Sequence, residues 1–168
     1  LPQAIARERE ITLPLRAEAD VVVDTGALNV HQLRRQVITG VALEHSPGLS
    51  LLFESFAFKF GVPLDADLVF DVRVVPNPFY DKALRPLTGK DQPVIEFLTA
   101  QADATNLLAD IRGFIERWLP AYERDNRSYL TVAIGCTGGQ HRSVFMVEQL
   151  AKHFKDHARV LIRHRELD

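Results

Sequence analysis

One uninterrupted apolar run, Leu130–Ile134, is followed directly by a glycine-rich turn and then by a helical pattern. A run that is apolar at consecutive positions is typical of a central parallel strand, which is buried on both faces. The helical pattern places four apolar side chains on one face: Val147, Leu150, Ala151 and Phe154. A strand, a turn and a helix in this order predict an α/β fold with a mixed, mainly parallel sheet flanked by helices.

The rest of the chain also alternates between strand-like and helical patterns. Near the start, the sequence predicts a helix over residues 1–18, a short strand at Val21–Val23 and a helix that Asn29 caps. Further along, the patterns predict strands at Leu51–Phe58, Leu68–Val75 and Val160–Ile162, a turn-rich loop over 76–93, and a helix from Leu107 to Tyr122 that is kinked or ended near Pro120.

The turn cluster at 45–48 separates two regions of different size. Residues 1–43 are too few to hold a core of their own, so we expect them to be the end of a larger α/β domain whose beginning is absent. Residues 44–168 are expected to form a second domain, of a length at which a domain can fold on its own.

Composition narrows the functional class. The chain is 46% hydrophobic and 25% charged with a formal charge of −2, as in an ordinary soluble domain, and no apolar run reaches the roughly 18 residues needed to cross a bilayer. A single cysteine excludes an internal disulfide, which favours a cytoplasmic location. The balanced charge means that any RNA or phosphate site must be a local patch.

The segment Gly135–Ser143 carries most of the chemistry. Its three glycines let backbone N–H groups converge at a helix N-terminus, where an anion is stabilised. Arg142 adds a planar cation that can grip two phosphate oxygens, and Thr137 and Ser143 add hydroxyl donors. His141 could donate to the phosphate, respond to pH near neutrality, or simply cap the turn.

Cys136 and Arg142 also have the Cys-x5-Arg spacing of enzymes that attack phosphate monoesters through a thiolate. Asp81, in the turn-rich loop, is the candidate general acid for such a reaction. Those enzymes usually carry a histidine before the nucleophile, where this chain has Gly135. A cysteine at a strand end is more often an inert apolar side chain, so hydrolysis is the alternative hypothesis.

Other charged residues give weaker indications. Asp71 and Arg73 share a face of their predicted strand, where Asp71 could receive a ligand amine or hydroxyl or simply pair with Arg73. The C-terminal region concentrates basic residues, which is a weak signal for nucleic acid. The histidines form no ligand set, so no metal site is predicted.

Several segments together resemble the RapZ/YvcJ family, the bacterial RNase adapter and nucleotide-binding proteins. The resemblance rests on these segments: Phe53-Glu54-Ser55-Phe56 with Lys59, Phe70-Asp71-Val72-Arg73, Pro76-Asn77-Pro78, residues 84–89, Tyr129–Ala133, Gly135–Ser143 and Arg163-His164-Arg165. The match runs over nearly the whole chain.

The resemblance implies a two-domain protein. Residues 1–43 would be the end of a P-loop kinase-like domain that binds ATP or GTP through a loop upstream of Leu1, so no cofactor is expected in these residues. Residues 44–168 would be a domain similar to a phosphofructokinase subdomain. In the family, that domain senses glucosamine-6-phosphate, binds a small regulatory RNA and presents it to an endoribonuclease as a homo-oligomer, a dimer or tetramer.

The resemblance also implies site residues. A sugar-phosphate pocket would use Thr137, Gly138, Gly139, His141, Arg142 and Ser143, with Asp71 and Ser128 reaching the sugar. RNA would contact Lys59, Arg159, Arg163 and Arg165. Two departures bear on this transfer: Phe79 stands where many members have a histidine, and the basic tail of the family is lacking. The prediction is a non-enzymatic sensor and adapter, with the phosphatase and a pure interaction domain as alternatives.

Overall fold

The computed structural model describes residues 2–19, 22–28, 33, 49–125, 127–156 and 159–167. The chain divides into two compact units, residues 1–47 and 48–168. In the first unit, helix α1 spans Pro2–Glu18, contains Pro14 and buries none of its side chains. This confirms the helix predicted over residues 1–18.

The strand predicted at Val21–Val23 is wrong for its described part. Val22 and Val23 lie in irregular backbone, and Val22 is 50% exposed. No described strand pairs with them, and a short apolar run needs a partner to become a strand. Val21 and the helix predicted after Asn29 lie outside the described residues, apart from Leu33, which is helical.

The second unit is built on a four-stranded sheet in the order β2-β3-β1-β4. The strands are β1 (Ser50–Ala57), β2 (Leu68–Asp71), β3 (Tyr129–Cys136) and β4 (Arg159–His164). All three pairings are parallel, which confirms the α/β class and makes the described sheet wholly parallel. The central position of β3 agrees with the unbroken apolar run that predicted it.

Helices and short 3₁₀ turns connect the strands. The helices are α2 (Gln92–Thr99), α3 (Ala102–Arg124) and α4 (Arg142–Phe154), and the 3₁₀ turns are Phe58–Phe60 and Pro78–Tyr80. Helix α3 continues four residues past Pro120. Helix α2 differs from the sequence prediction, in which Pro93 ends a turn-rich loop. Pro93 occupies the first turn of the helix, where its nitrogen needs no hydrogen-bond partner.

Strand β2 is shorter than the predicted Leu68–Val75. After Asp71 the chain turns, because Asp71 Oδ1 accepts the Arg73 backbone N–H at 2.9 Å. The Val75 N–H then donates to the Val72 carbonyl at 3.3 Å. An aspartate that bonds the backbone two residues ahead offers the chain a turn in place of the sheet.

The core of the second unit lies between the sheet and the helices. Phe53 of β1 and Phe154 of α4 are buried with ring centroids 5.8 Å apart. Leu98 of α2 and Ile115 of α3 belong to the same buried cluster. Burial of each such side chain contributes roughly 1.5–3 kcal/mol to stability. This packing fixes the strand ends from which the candidate site is built.

Candidate functional site

The connections that leave β1 and β3 run toward opposite edges of the sheet. The two strands are neighbours, with Ala57 opposite Cys136. The chain leaving β1 reaches β2 at one edge, and the chain leaving β3 reaches β4 at the other. Each connection passes across the neighbouring strand, so the two connections cross. In open parallel sheets, ligands bind at the carboxyl ends of the strands, here beyond Ala57 and Cys136. Residues 137–141, which we call the glycine loop, lie at this point.

Cys136 and Ser143 form the floor beneath the glycine loop. Cys136 Sγ accepts the N–H of Gly139 at 3.2 Å and lies 3.2 Å from the hydroxyl oxygen of Ser143. The Ser143 side chain is fully buried and Cys136 is only 3% exposed. The hydroxyl of Ser143 therefore faces the sulfur inside the protein, and these contacts hold the two ends of the loop together.

Arg142 is the first residue of α4 and is buried, with 4% of its surface exposed. Its Nη1 donates to the carbonyls of Arg73 and Val75 at 2.8 and 3.0 Å. Its Nη2 donates to Thr137 Oγ1 at 3.3 Å. Its Nε is buried and has no partner among the described residues. Nε and Nη2 form the edge of a guanidinium that binds two oxygens of an oxyanion.

The mouth of the glycine loop is open at Thr137 and Gly138. Thr137 is exposed and Gly138 is half-buried, whereas Gly139 is buried. The loop leads into the N-terminus of α4, where the helix dipole favours a negative charge. The predicted phosphate residues Thr137, Gly138 and Arg142 are thus brought together, with Ser143 and His141 turned inward.

Asp71 lies at the carboxyl end of β2 on the same side as Arg142. Its two carboxylate oxygens accept hydrogen bonds from Arg73 Nε and Nη2 at 2.6–3.0 Å. These bonds lower the pKa of Asp71, and the nearby charge of Arg142 lowers it further. The predicted pairing of Asp71 with Arg73 is therefore present.

The segment 84–91 is fastened to the glycine loop. His141 Nε2 lies 3.1 Å from the Leu84 carbonyl, and the Gln140 side chain donates to the Leu87 carbonyl at 2.7 Å. Gly89 approaches so closely that a Cβ there would lie 2.3 Å from the His141 carbonyl oxygen. Burial lowers the pKa of His141, so the neutral ring is favoured in this anchoring position.

On the other side of the loop, the side chain of Glu166 packs over Gly139. Gly139 has φ +69, and a Cβ added there would lie 2.3 Å from Glu166 Oε2. That oxygen is buried and has no partner among the described residues. Sequence reasoning did not select Glu166, because nothing in its local pattern marks a contact with a loop so distant in the chain.

Glu54 is a second buried carboxylate near this side of the loop. Its side chain is 1% exposed, its Oε2 has no described partner, and its Oε1 lies 3.7 and 3.8 Å from the Nε atoms of Arg163 and Arg165. Burial raises its pKa, against the opposing effect of Arg163. A lone charge within the apolar strand sequence Leu51–Phe56 was the signal that could have identified it.

A buried polar chain joins the sheet to helix α4. The Ser55 hydroxyl lies 2.8 Å from His164 Nδ1, and His164 Nε2 lies 3.0 Å from Glu148 Oε1. Glu148 also pairs with Lys90 at 3.6 Å. Ser55 is fully buried, so this arrangement positions strands β1 and β4 rather than presenting a nucleophile.

Ser128 lies at the opposite end of β3 from the glycine loop. Its carbonyl accepts the N–H of Ser50, the first residue of β1. The eight-residue strand Tyr129–Cys136 separates Ser128 from the loop, and a strand rises about 3.3 Å per residue. Within one chain, the structure therefore does not bring Ser128 together with the other predicted sugar-phosphate residues.

The predicted RNA residues are also spread along the sheet. Arg163 and Arg165 approach Glu54 near the carboxyl end of β4, and Arg159 begins that strand at the amino end. Lys59 follows β1, with its Nζ 4.5 Å from the ring centroid of Phe60. All four side chains are exposed, but they do not form one compact cluster.

Asp81 and Phe79 belong to the turn-rich segment. Asp81 Oδ1 accepts the Ala83 N–H at 2.8 Å, so the carboxylate caps a turn. The Phe79 ring is partly exposed, with the Arg85 guanidinium 4.7 Å from its centroid. Within the described part of the chain, no group of three or more His, Cys, Asp or Glu side chains could hold a metal ion, and no helix is long and apolar enough to span a membrane.

Comparison with known proteins identifies the family to which this domain belongs. The family model described as RapZ C-terminal domain matches residues 49–168. The chain belongs to the RapZ family. The predicted resemblance is thereby confirmed, and the glycine loop with its buried Arg142 lies within the matched RapZ domain.

Individual relatives are similar to this chain over its full length, in agreement with the family match. A "Nucleotide-binding protein" of Janthinobacterium sp. (strain Marseille) is 63% identical over 168 residues, covering all of this chain and 58% of the relative. One from Herminiimonas arsenicoxydans is 62% identical, and one from Stenotrophomonas maltophilia (strain K279a) is 56% identical, with the same coverage. The chain thus spans about 58% of the length of these relatives.

Proposed function

We propose that residues 48–168 are a non-enzymatic sensor that binds an amino-sugar phosphate of the glucosamine-6-phosphate type at the glycine loop. The observation that carries this proposal is the buried Nε of Arg142, which has no described partner and lies on the edge of the guanidinium suited to a phosphate. Buried polar atoms are almost always satisfied, so this donor is suited to a ligand oxygen.

The surrounding geometry supports an anion at this place. The loop lies at the carboxyl end of β3, it opens at Thr137, and it leads into a helix N-terminus. Asp71 borders the site and supplies a carboxylate for the sugar. Phosphate would contact Thr137 and the backbone of Gly138, with Arg142 behind them.

The wider role that we propose is regulatory and cytoplasmic. Ligand binding would change the affinity of the domain for a small regulatory RNA with its endoribonuclease, or for a protein partner, and the domain would act as a homo-oligomer. ATP or GTP would be bound by the other part of the longer protein, in line with the name that the relatives carry.

The alternative is hydrolysis of a phosphate monoester by Cys136. The Gly139 N–H and the Ser143 hydroxyl at the sulfur would stabilise a thiolate. Against this, the thiol is buried and Arg142 Nη1 is bound by two carbonyls, which favours a structural cysteine. Rapid alkylation of Cys136 in the folded protein, blocked by phosphate, would support the enzyme.

Calorimetric titration with glucosamine-6-phosphate, glucose-6-phosphate and inorganic phosphate tests the sensor. We expect saturable binding that Thr137→Val and Arg142→Lys each weaken by about tenfold, since each removes a hydrogen bond to a charged group. Thr99→Val, on the exposed end of α2, is the matched control and should bind as the wild type does. Absence of any saturable phosphate binding would refute the proposal.

A further inference from the structure

Three buried side-chain polar atoms in the described residues have no hydrogen-bond partner: Glu54 Oε2, Arg142 Nε and Glu166 Oε2. Such atoms are rare in folded proteins, because each loses its hydration without compensation. Two of the three belong to side chains that contact residues of the glycine loop itself, and these two side chains have opposite charges. Arg142 offers a cationic donor, and Glu166 offers an anionic acceptor.

The two groups are within reach of one small molecule. The guanidinium of Arg142 bonds Thr137, and the carboxylate of Glu166 packs against Gly139. Thr137 and Gly139 are two residues apart, which limits their Cα separation to about 7 Å. The donor and the acceptor are thus associated with neighbouring positions of one short loop, as recognition of a single ligand with two polar ends requires.

A carboxylate beside an anion site discriminates between ligands. It repels a phosphate that brings only negative charge, and it attracts one that also brings a positive group. Arg163 and Arg165, the basic neighbours of Glu166, form their described ion pairs with Glu54. Glu166 itself has no ion pair among the described residues.

We propose that Glu166 is the residue that selects phosphates carrying an ammonium group, by accepting a hydrogen bond from that group at Oε2. This inference rests on the proposed function and names the specificity of the same site. Asp71, the other carboxylate at the site, is less suited to this role because both of its oxygens are already bound by Arg73.

The test compares glucosamine-6-phosphate with glucose-6-phosphate, which differ in one amino group, by calorimetry on the wild type and on Glu166→Gln. We expect the wild type to prefer the amino sugar by about tenfold, the value of one charge-assisted hydrogen bond. In Glu166→Gln the preference should fall to within about threefold, because the amino sugar loses its charge-assisted hydrogen bond while glucose-6-phosphate is no longer repelled.

Two further variants sharpen the test. Asp71→Asn should weaken both sugars similarly and keep the preference. Glu96→Gln, whose carboxylate contacts only Gln92 in the described structure, is the matched control and should not change either affinity. Thermal unfolding of each variant confirms that the fold is retained.

The outcomes separate the two proposals. An unchanged preference in Glu166→Gln, or loss of the preference in Asp71→Asn, overturns the role of Glu166 while leaving the sugar-phosphate site in place. Equal tightening of all phosphates in Glu166→Gln would also overturn it, since Glu166 would then only cover the loop. If the wild type binds no phosphate, the proposed function fails and this inference fails with it.

Discussion

Charged residues lie on both sides of the glycine loop, but they are satisfied to different degrees. The β2 flank is formed by Asp71, Arg73 and Arg142. In the described part of the chain, seven hydrogen bonds join its charged side chains to one another, to backbone or to Thr137, and one buried side-chain atom there lacks a partner. On the β4 flank, formed by Glu54, Arg163, Arg165 and Glu166, the ion pairs are 3.7–3.8 Å long and two carboxylate oxygens are buried without a partner.

This difference distinguishes charged groups that stabilise the fold from charged groups that destabilise it. Hydrogen bonds between a buried cation and backbone carbonyls fix the shape of the chain, and their loss is costly. Buried carboxylate oxygens without donors reduce stability. The hydrogen bonds of the β2 flank therefore hold the glycine loop in place. The unpartnered carboxylate oxygens of the β4 flank lower the stability of the fold, and a role in ligand binding would explain why they are present.

The largest effect is expected on the β2 flank, from Arg142→Met. The substitution keeps an unbranched side chain but leaves the part-buried carbonyl of Arg73 and the buried carbonyl of Val75 without their donor. We expect the free energy of unfolding, measured with urea, to fall by about 3 kcal/mol. A loss below about 1 kcal/mol would show that water replaces the guanidinium and would contradict the structural role assigned to the β2 flank.

On the β4 flank, Glu54→Met is expected to raise the free energy of unfolding instead of lowering it. This removes a buried carboxylate whose arginine partners are partly exposed and can return to water. We expect the free energy of unfolding at pH 8 to rise by about 1–2 kcal/mol.

The pH dependence of Glu54→Met checks the cause. Burial raises the pKa of Glu54 above its ordinary 4.5, so the folded wild type binds this proton more tightly than the unfolded chain. The wild type thus loses stability as pH rises through that window, and the gain from the substitution should be larger at pH 8 than at pH 4. A gain that is independent of pH would assign the effect to packing alone.

A smaller change in the free energy of unfolding is expected from Gly139→Ala. This substitution tests how easily the Glu166 side chain on the β4 flank can move. The new Cβ would meet the flexible end of Glu166, which can move, but the residue has φ +69. We expect a loss of about 1 kcal/mol from the backbone conformation. Gly138→Ala is the control, because nothing lies within 4 Å of its Cβ position; an equal loss in both would exclude a specific role for φ at Gly139.

The smallest effect is expected from Asp71→Asn. The pair with Arg73 is partly exposed, so its loss should cost about 0.5 kcal/mol at neutral pH. The hydrogen bonds from Arg73 lower the pKa of Asp71, so the pair stabilises the fold above the ordinary pKa and this stability is lost as pH falls. The loss caused by Asp71→Asn should therefore shrink in acid, just as the gain from Glu54→Met does, but the two changes in stability have opposite signs.

The sequence was most informative where chemistry and periodicity are local. The apolar run before Gly135, the glycines and Arg142 predicted a strand, a turn and a helix, and all three are present. Strands β1 and β4 were predicted to within two residues at each end. The Val21–Val23 strand was wrong and helix α2 was missed, because short apolar runs and prolines have several structural meanings.

The charged residues around the site could not be predicted from local sequence patterns. Glu54 and Glu166 become neighbours of the loop only through the pairing of β1 with β3 and β4. The inward orientation of His141 and the contacts of Arg142 with Arg73 and Val75 likewise depend on packing between distant segments. The far position of Ser128 follows from strand direction, which local patterns do not specify.

The parallel order of the strands also bears on how the chain folds as it is synthesised. Strand β1 pairs only with β3 and β4 in the described sheet, and β2 pairs only with β3. No strand pair of this described sheet can therefore form until β3 has left the ribosome, and β1 remains unpaired in it during the synthesis of α2 and α3. Contacts between such distant segments slow folding. During that interval the apolar edges of β1 are open to chaperones and to aggregation, so the rate of translation through α3 is a physical variable in the yield of folded protein.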